Sequence, residues 1–230
     1  MIASWLSPRA VVFDIDGTLV DNMAIHTEAF AEFSVRHGLP PLTQADRVRL
    51  DGRGNSEIFS ILFGRKLSKD EWRLHEEEKE GLYRELSRGR LSPMPGLISL
   101  LDQLAGASAR VALATSAPAP NVAHTLAEIG LSAAFPVIVR ADQVGRGKPA
   151  PDVFLEAARQ LDVPPSECLA FEDAPMGIAA AHAARMPVVA ITTSFSESFL
   201  LALPEPPDLT CPDFDAFLKH CESARAEQVS

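Results

Sequence analysis

Five short apolar runs set the frame of this chain: Ala10–Phe13, Arg110–Ala114, Pro136–Val139, Cys168–Phe171 and Val188–Ile191. Most are continuously apolar rather than alternating. A strand with one face in water alternates, whereas a strand covered on both faces does not, and strands of the second kind build parallel sheets. Helical stripes lie between the later runs. Leu97, Leu100, Leu101 and Leu104 form one, and Val122, Leu126 and Ile129, closed by Gly130, form another. Phe154, Ala157, Ala158 and Leu161 form a third. Strands alternating with amphipathic helices predict an α/β fold, a Rossmann-like parallel sheet with helices on both faces.

The segment after Thr18 breaks that rhythm and reads as helices alone. His26, Phe30 and Phe33 share a stripe that ends at Gly38 and Pro40-Pro41. Ser56 is placed to cap a short helix carrying Phe59, Leu62 and Phe63, and Ser68 with Glu71 makes a capping box for a long charged helix through Trp72, Leu82 and Leu86. The stretch SPMPG, Ser92 to Gly96, has the prolines and glycine of a stiff linker. The expected organisation is an α/β core of residues 1–21 and 92–230 with a small all-helical cap of residues 22–91. A cap on two linkers makes a cleft at the strand ends, where open parallel sheets bind their ligands.

Charge narrows the function. With Lys+Arg 21 against Asp+Glu 31, the net charge is −10, which argues against a nucleic-acid or anionic-membrane partner. Cys168, Cys211 and Cys221 are widely spaced and odd in number, as in a reduced, cytoplasmic protein. The opening MIASWLSPRA lacks a basic stretch before an apolar run, so no secretory signal is expected, and no stretch reads as a membrane span. Oligomeric state is not written in the sequence; a monomer is compatible with it.

In the expected fold, residues just past each strand gather along one edge. The first strand delivers Asp14, Asp16, Gly17 and Thr18, the second Thr115 and Ser116. Lys148 follows the third, and Glu172 and Asp173 close the fourth. Crowded carboxylates raise one another's pKa, and a hard divalent cation relieves them, which points to Mg2+. Hydroxyls, backbone N–H groups and an ammonium suit a phosphoryl group. Of two carboxylates two positions apart, one can attack phosphorus while the other moves the proton. Gly17 lets the backbone turn away.

The same residues resemble the four motifs of the haloacid dehalogenase superfamily, in order: DIDGT at Asp14–Thr18, the apolar strand ending in Thr115-Ser116, KPAPD at Lys148–Asp152 and EDAPMGI at Glu172–Ile178. The helical insert after the first motif is similar to the cap of the phosphoglycolate phosphatase and β-phosphoglucomutase branch. The resemblance implies an aspartyl-phosphate formed on Asp14 and a proton carried by Asp16, whose backbone carbonyl also binds the metal. It implies Asp173 as a further metal ligand, with Glu172 as a ligand or a support beside it. Thr115, Ser116 and Lys148 are implied as phosphate-binding, and Mg2+ as the cofactor.

Asp16 disfavours the dehalogenases, which lack an acid there. Phosphonate hydrolases need a cap lysine for a Schiff base, and none of Lys66, Lys69 and Lys79 shows an apolar setting in the sequence. β-Phosphoglucomutases resemble this chain at His26, but have a lysine and an arginine where this chain has Asp51 and Asn55 around Gly52, and a serine–lysine pair where it has Ala117-Pro118. The expectation is therefore a phosphatase for a small phosphorylated metabolite, with the sugar phosphomutase as the alternative. His26, Arg53 and Asn55 are candidate cap contacts to substrate. Structural readings stand beside these: Thr115-Ser116 or Glu172-Asp173 as helix caps, His26 as a packed histidine, and His75 with its neighbouring glutamates as a solvated helix face.

Overall fold

The structure, a computed structural model, describes residues 8–40, 43, 46 and 55–229. Among these, the strands are β1 (Ala10–Phe13), β2 (Arg110–Thr115), β3 (Val137–Arg140), β4 (Cys168–Glu172), β5 (Val188–Ile191) and β6 (Leu209–Cys211). They form one sheet in the order β3-β2-β1-β4-β5-β6, every pair parallel. The order reverses at β1, which lies between β2 and β4, so the switch point at which such sheets take their ligands lies at its C-terminal end. The five apolar runs are five of these strands. β6 escaped the reading because it is three residues long, carries Thr210 and lies between prolines.

Residues of alternate parity face opposite sides of the sheet, as the strand period of two requires. One face is bulky. Val11, Phe13, Leu113, Phe171 and Val189 pack against α4 (Leu97–Gly106), α5 (Ala119–Glu128) and α9 (Phe214–Val229). Phe13 stacks on Phe171 at 5.2 Å, and Phe214 meets Phe171 edge-on at 5.1 Å. The other face is lined by Ala10, Val12, Ala112, Ala114, Ala170 and Ala190, small side chains that let α6 (Asp152–Leu161) and α7 (Pro175–Ala183) approach closely. Burying a Phe or Leu side chain contributes roughly 1.5–3 kcal/mol, so the bulky face carries much of the stabilisation. A short helix, α8 (Glu197–Leu201), follows β5.

The helical insert comprises α1 (Met23–His37), α2 (Asn55–Leu62) and α3 (Lys69–Ser87). Ile25, Phe30, Phe33, Ile58, Phe59, Leu82 and Tyr83 form an apolar cluster separate from the two that flank the sheet. Gly38 ends α1 in the left-handed conformation at φ 61°, and the Ser68–Glu71 capping box starts α3 as the sequence predicts. Ser56 does not precede its helix; α2 already begins at Asn55. Met94 N–H donates to Leu19 O at 2.8 Å, tying together the chain on either side of the insert. No helix among the described residues is long and apolar enough to cross a membrane. Cys168, Cys211 and Cys221 are all buried free thiols.

Candidate active site

β1 ends at Phe13, and the Asp14 N–H continues the ladder by donating to Phe171 O at 3.0 Å. That bond fixes Asp14 beside the end of β4. The Lys148 ammonium, buried, reaches both Asp14 Oδ1 and Glu172 Oε1 at 2.5 Å. Glu172 is held on its other oxygen too, because Oε2 accepts from Asp173 N at 3.0 Å and Ala174 N at 3.3 Å. It thus caps the turn into α7 and orients Lys148 at once. Asp173 accepts from the Ser194 hydroxyl on Oδ2. Asp14, Glu172 and Asp173 each place a carboxylate oxygen within 4.8 Å of the others.

Two glycines make room for these acids. Gly17 has φ 79°, and a Cβ there would run into Asp173 Oδ2. Its carbonyl accepts from Thr193 Oγ1, and its N–H donates to Val20 O and Asn22 Oδ1 at 2.9 and 3.1 Å. Gly177, on the first turn of α7, lies under the Glu172 carboxylate, where any side chain would collide with it. The glycines of DIDGT and EDAPMG therefore both make room for the two acids of the latter motif.

Asp16 has different company. Asn22 Nδ2 donates to Asp16 Oδ1 at 2.6 Å, and His26 Nε2 stands 3.6 Å from the same oxygen. His26 is buried, stacked on Tyr83 with ring centroids 3.9 Å apart. Lys79 Nζ lies 2.8 Å from His26 Nδ1. An ammonium has only donors, so Nδ1 accepts and the ring proton sits on Nε2, facing Asp16. Lys79 is 2 % exposed, 4.2 Å from the Phe30 ring and 2.9 Å from Glu80 Oε1. The sequence reading that no cap lysine has an apolar setting is corrected here. Lys79 sits in EEEKEG, whose local polarity hides the fact that its own helix face turns inward.

Electrostatics separates the two aspartates. Burial raises Asp14 to about 8, with Glu172 and Asp16 adding to the rise and Lys148 opposing it. Burial, then Glu172 and Asp14, also lift Asp173 well above the carboxylate range. Lys148 is raised above its ordinary value, because Asp14 and Glu172 outweigh the burial that works against its charge. Burial acts upward on Asp16 as well, but His26, Asn22 and the Lys79 charge outweigh it and leave Asp16 below its ordinary value. One ammonium does not neutralise Asp14, Glu172 and Asp173. An oxygen-only, buried, charge-deficient cluster fits a hard divalent cation.

Thr115 is buried at the end of β2, and its Oγ1 accepts from Ala117 N at 3.0 Å, a turn rather than a helix cap; the cap position of α5 is Pro118. Ser116 follows it, half-buried, at the same sheet edge. Arg53 and Asp51 lie outside the described residues, and of Asn55 the backbone alone is described. Sequence reasoning missed Asn22, Lys79, Tyr83, Thr193 and Ser194. For the last two a signal existed, since Thr192-Thr193-Ser194 directly follows the apolar run of β5 and must reach the same edge.

The haloacid dehalogenase-like hydrolase family matches residues 8–185, from just before β1 to just past α7. That span contains all four motifs in their order. The chain belongs to the haloacid dehalogenase-like hydrolases. Among relatives, the phosphorylated carbohydrates phosphatase of Thermotoga maritima is 33% identical over 181 residues, covering 76% of this chain and 81% of that protein. The β-phosphoglucomutase of Bacillus subtilis is 33% identical over 194 residues, covering 80% and 83%. A family IA, variant 3 hydrolase structure from Entamoeba histolytica superposes with a TM-score of 0.80 at 30% identity, covering 90% of this chain and 93% of that one. Phosphatase and mutase relatives are equally similar, so identity does not separate the two reactions, and the family's expected fold is the one observed.

Proposed function

We propose that this hydrolase is a Mg2+-dependent phosphatase for a small phosphomonoester of the sugar-phosphate class, and that residues 22–91 are its cap over a core of 1–21 and 92–230. The observation that carries the reading is the division of the two aspartates: Asp14 sits among Lys148, Glu172 and Asp173, and Asp16 sits among groups contributed around the insert. Asp14, Asp173 and the Asp16 carbonyl, with Glu172 alongside, would hold Mg2+. When bound, the ion supplies positive charge that ionises Asp14 and screens the phosphoryl oxygens.

The chain's own residues then divide the work. An Asp14 carboxylate oxygen attacks phosphorus, the bond from phosphorus to the leaving oxygen breaks, and Asp16, ionised in the free protein, relays to that oxygen a proton taken up from the substrate's monoprotonated phosphoryl group. A water oxygen next attacks the phosphorus of the aspartyl-phosphate, Asp16 takes the water proton and passes it to the released phosphate, and the bond to Asp14 breaks, restoring both carboxylates. Lys148, Thr115 and Ser116 bind phosphoryl oxygens, and Lys148 also positions Asp14. His26 and Asn22 keep Asp16 turned toward the insert, where the leaving group lies. His26, Arg53 and Asn55 are the cap groups assigned to the substrate.

The sugar-phosphate class rests on the Thermotoga maritima relative's name. The mutase reading is favoured by the Bacillus subtilis relative. Against it stand Ala117 and Pro118, which offer no side-chain donor to a second phosphate at the start of α5. With Mg2+ present, inorganic phosphate release from a panel of sugar phosphates, phosphoglycolate and mononucleotides is expected to be fastest for a sugar phosphate. Interconversion of hexose 1- and 6-phosphates faster than hydrolysis would establish the mutase instead.

A further inference from the structure

The insert carries a second group of metal-type side chains, away from the catalytic acids. His37 occupies the last turn of α1, and His75 and Glu78 lie one turn apart on α3. One donor atom from each lies within 4.8 Å of the other two. His37 Nε2 is 2.8 Å from Glu78 Oε2. The His75 ring stacks on Phe63 at 4.5 Å and meets Phe33 and His37 edge-on at 5.7 and 5.0 Å. Its Nδ1 is buried with no hydrogen-bond partner among the described residues. Burying such an atom unpaired costs free energy, and the phosphatase chemistry uses none of these three residues.

The sequence reading of His75 as part of a solvated face is corrected by this packing. Residues 75 and 78 are three apart, so both face α1, whereas Glu77 points outward. The local sequence could not show it, because the third member arrives from a helix 38 positions earlier (75 minus 37).

We propose that His37, His75 and Glu78 form a zinc-type cation site that staples the C-terminal end of α1 to α3. Two imidazoles and a carboxylate are the donors of three-ligand zinc sites, whereas Mg2+ prefers oxygen alone. Bonds of about 2.0–2.1 Å in a tetrahedron put ligand atoms roughly 3.3 Å apart, so the three groups close on an ion by shifts on the order of 1 Å. The His37 and Glu78 side chains are 25% and 31% exposed, which gives the ion access and leaves a position for water. Arg36 stands 3.8 Å from Glu78 Oε1 but has a closer partner in Glu32, so it does not block the carboxylate.

The test uses the full chain, stripped with a chelator and returned to excess Mg2+ so that the oxygen cluster is filled. Titration with Zn2+ is expected to show one ion per chain and a raised Tm. His37→Gln and Glu78→Gln are each expected to weaken Zn2+ binding by more than about 100-fold, since even supporting residues around a metal are worth 10–100-fold. Both keep Mg2+-dependent turnover. His75→Phe preserves the ring packing and is expected to abolish the visible absorption that Co2+ gains in the wild-type site. Absence of stoichiometric Zn2+ binding, or binding that survives in both His37→Gln and Glu78→Gln, would overturn the proposal.

Discussion

Asp14 and Asp16 are separated by Ile15 alone, yet their surroundings push them in opposite directions. Asp14 has a folded pKa of about 8 against an ordinary 3.8, so its protonated form favours the folded state. That contribution is complete below the ordinary value and is lost as pH rises toward 8. A divalent cation competes with the proton for the same oxygens. The rise in Tm produced by Mg2+ is therefore expected to grow between about pH 5 and pH 8, and Asp14→Asn is expected to flatten that growth. A Mg2+ shift equal at both ends of the range would contradict the assignment. Gly17→Ala makes a steric counterpart. It forces a Cβ at φ 79° against Asp173 Oδ2, and turnover is expected to fall at least about 100-fold, measured as kcat on the best substrate. Legibility at this scale followed the strands. Asp14, Lys148, Glu172 and Asp173 were readable because each lies at or beyond an apolar run. Asn22, Lys79 and Tyr83 were not, because they meet Asp16 through packing between helices remote in sequence.

Among elements, length and pattern decided what could be read. Five of the strands announce themselves as apolar runs, although β3 buries only Val139 fully, and the sheet face each residue takes follows from its parity. β6 has three residues and one of them is Thr210, too little apolar pattern to rise above its proline-rich surroundings. α3 was legible at its start, where Ser68 Oγ accepts from Glu71 N and the Glu71 carboxylate accepts from Ser68 N. Its inward face was not legible, since Lys79 and Glu80 are charged residues buried against each other and against His26 and Asn121. Ser68→Ala removes the cap and is expected to lower stability by about 1 kcal/mol, read as a shift in the urea midpoint with an unchanged slope.

Polar contacts between α3 and α5 join the helical insert to the helices that flank the sheet. Asn121 Nδ2 donates to Glu80 Oε2 at 2.5 Å while its Oδ1 accepts from Arg84 at 2.7 Å, and Ser87 Oγ lies 2.8 Å from His124 Nε2. Asn121 is buried, so Asn121→Ala is expected to cost about 1–3 kcal/mol in denaturant unfolding. A loss below about 0.5 kcal/mol would show that the contact does not stabilise the docked insert. The helical insert was legible from the helices-only block and its proline-marked return, but the contacts that pack it against α5 were not. The proposed phosphatase stands on Asp14 as its nucleophile. Its most direct test is phosphate release with saturating Mg2+ by wild type and Asp14→Asn on the best substrate of the panel. Wild-type turnover with a loss of at least about 10³-fold in the folded variant is the predicted result; turnover of the variant within tenfold of wild type would contradict it.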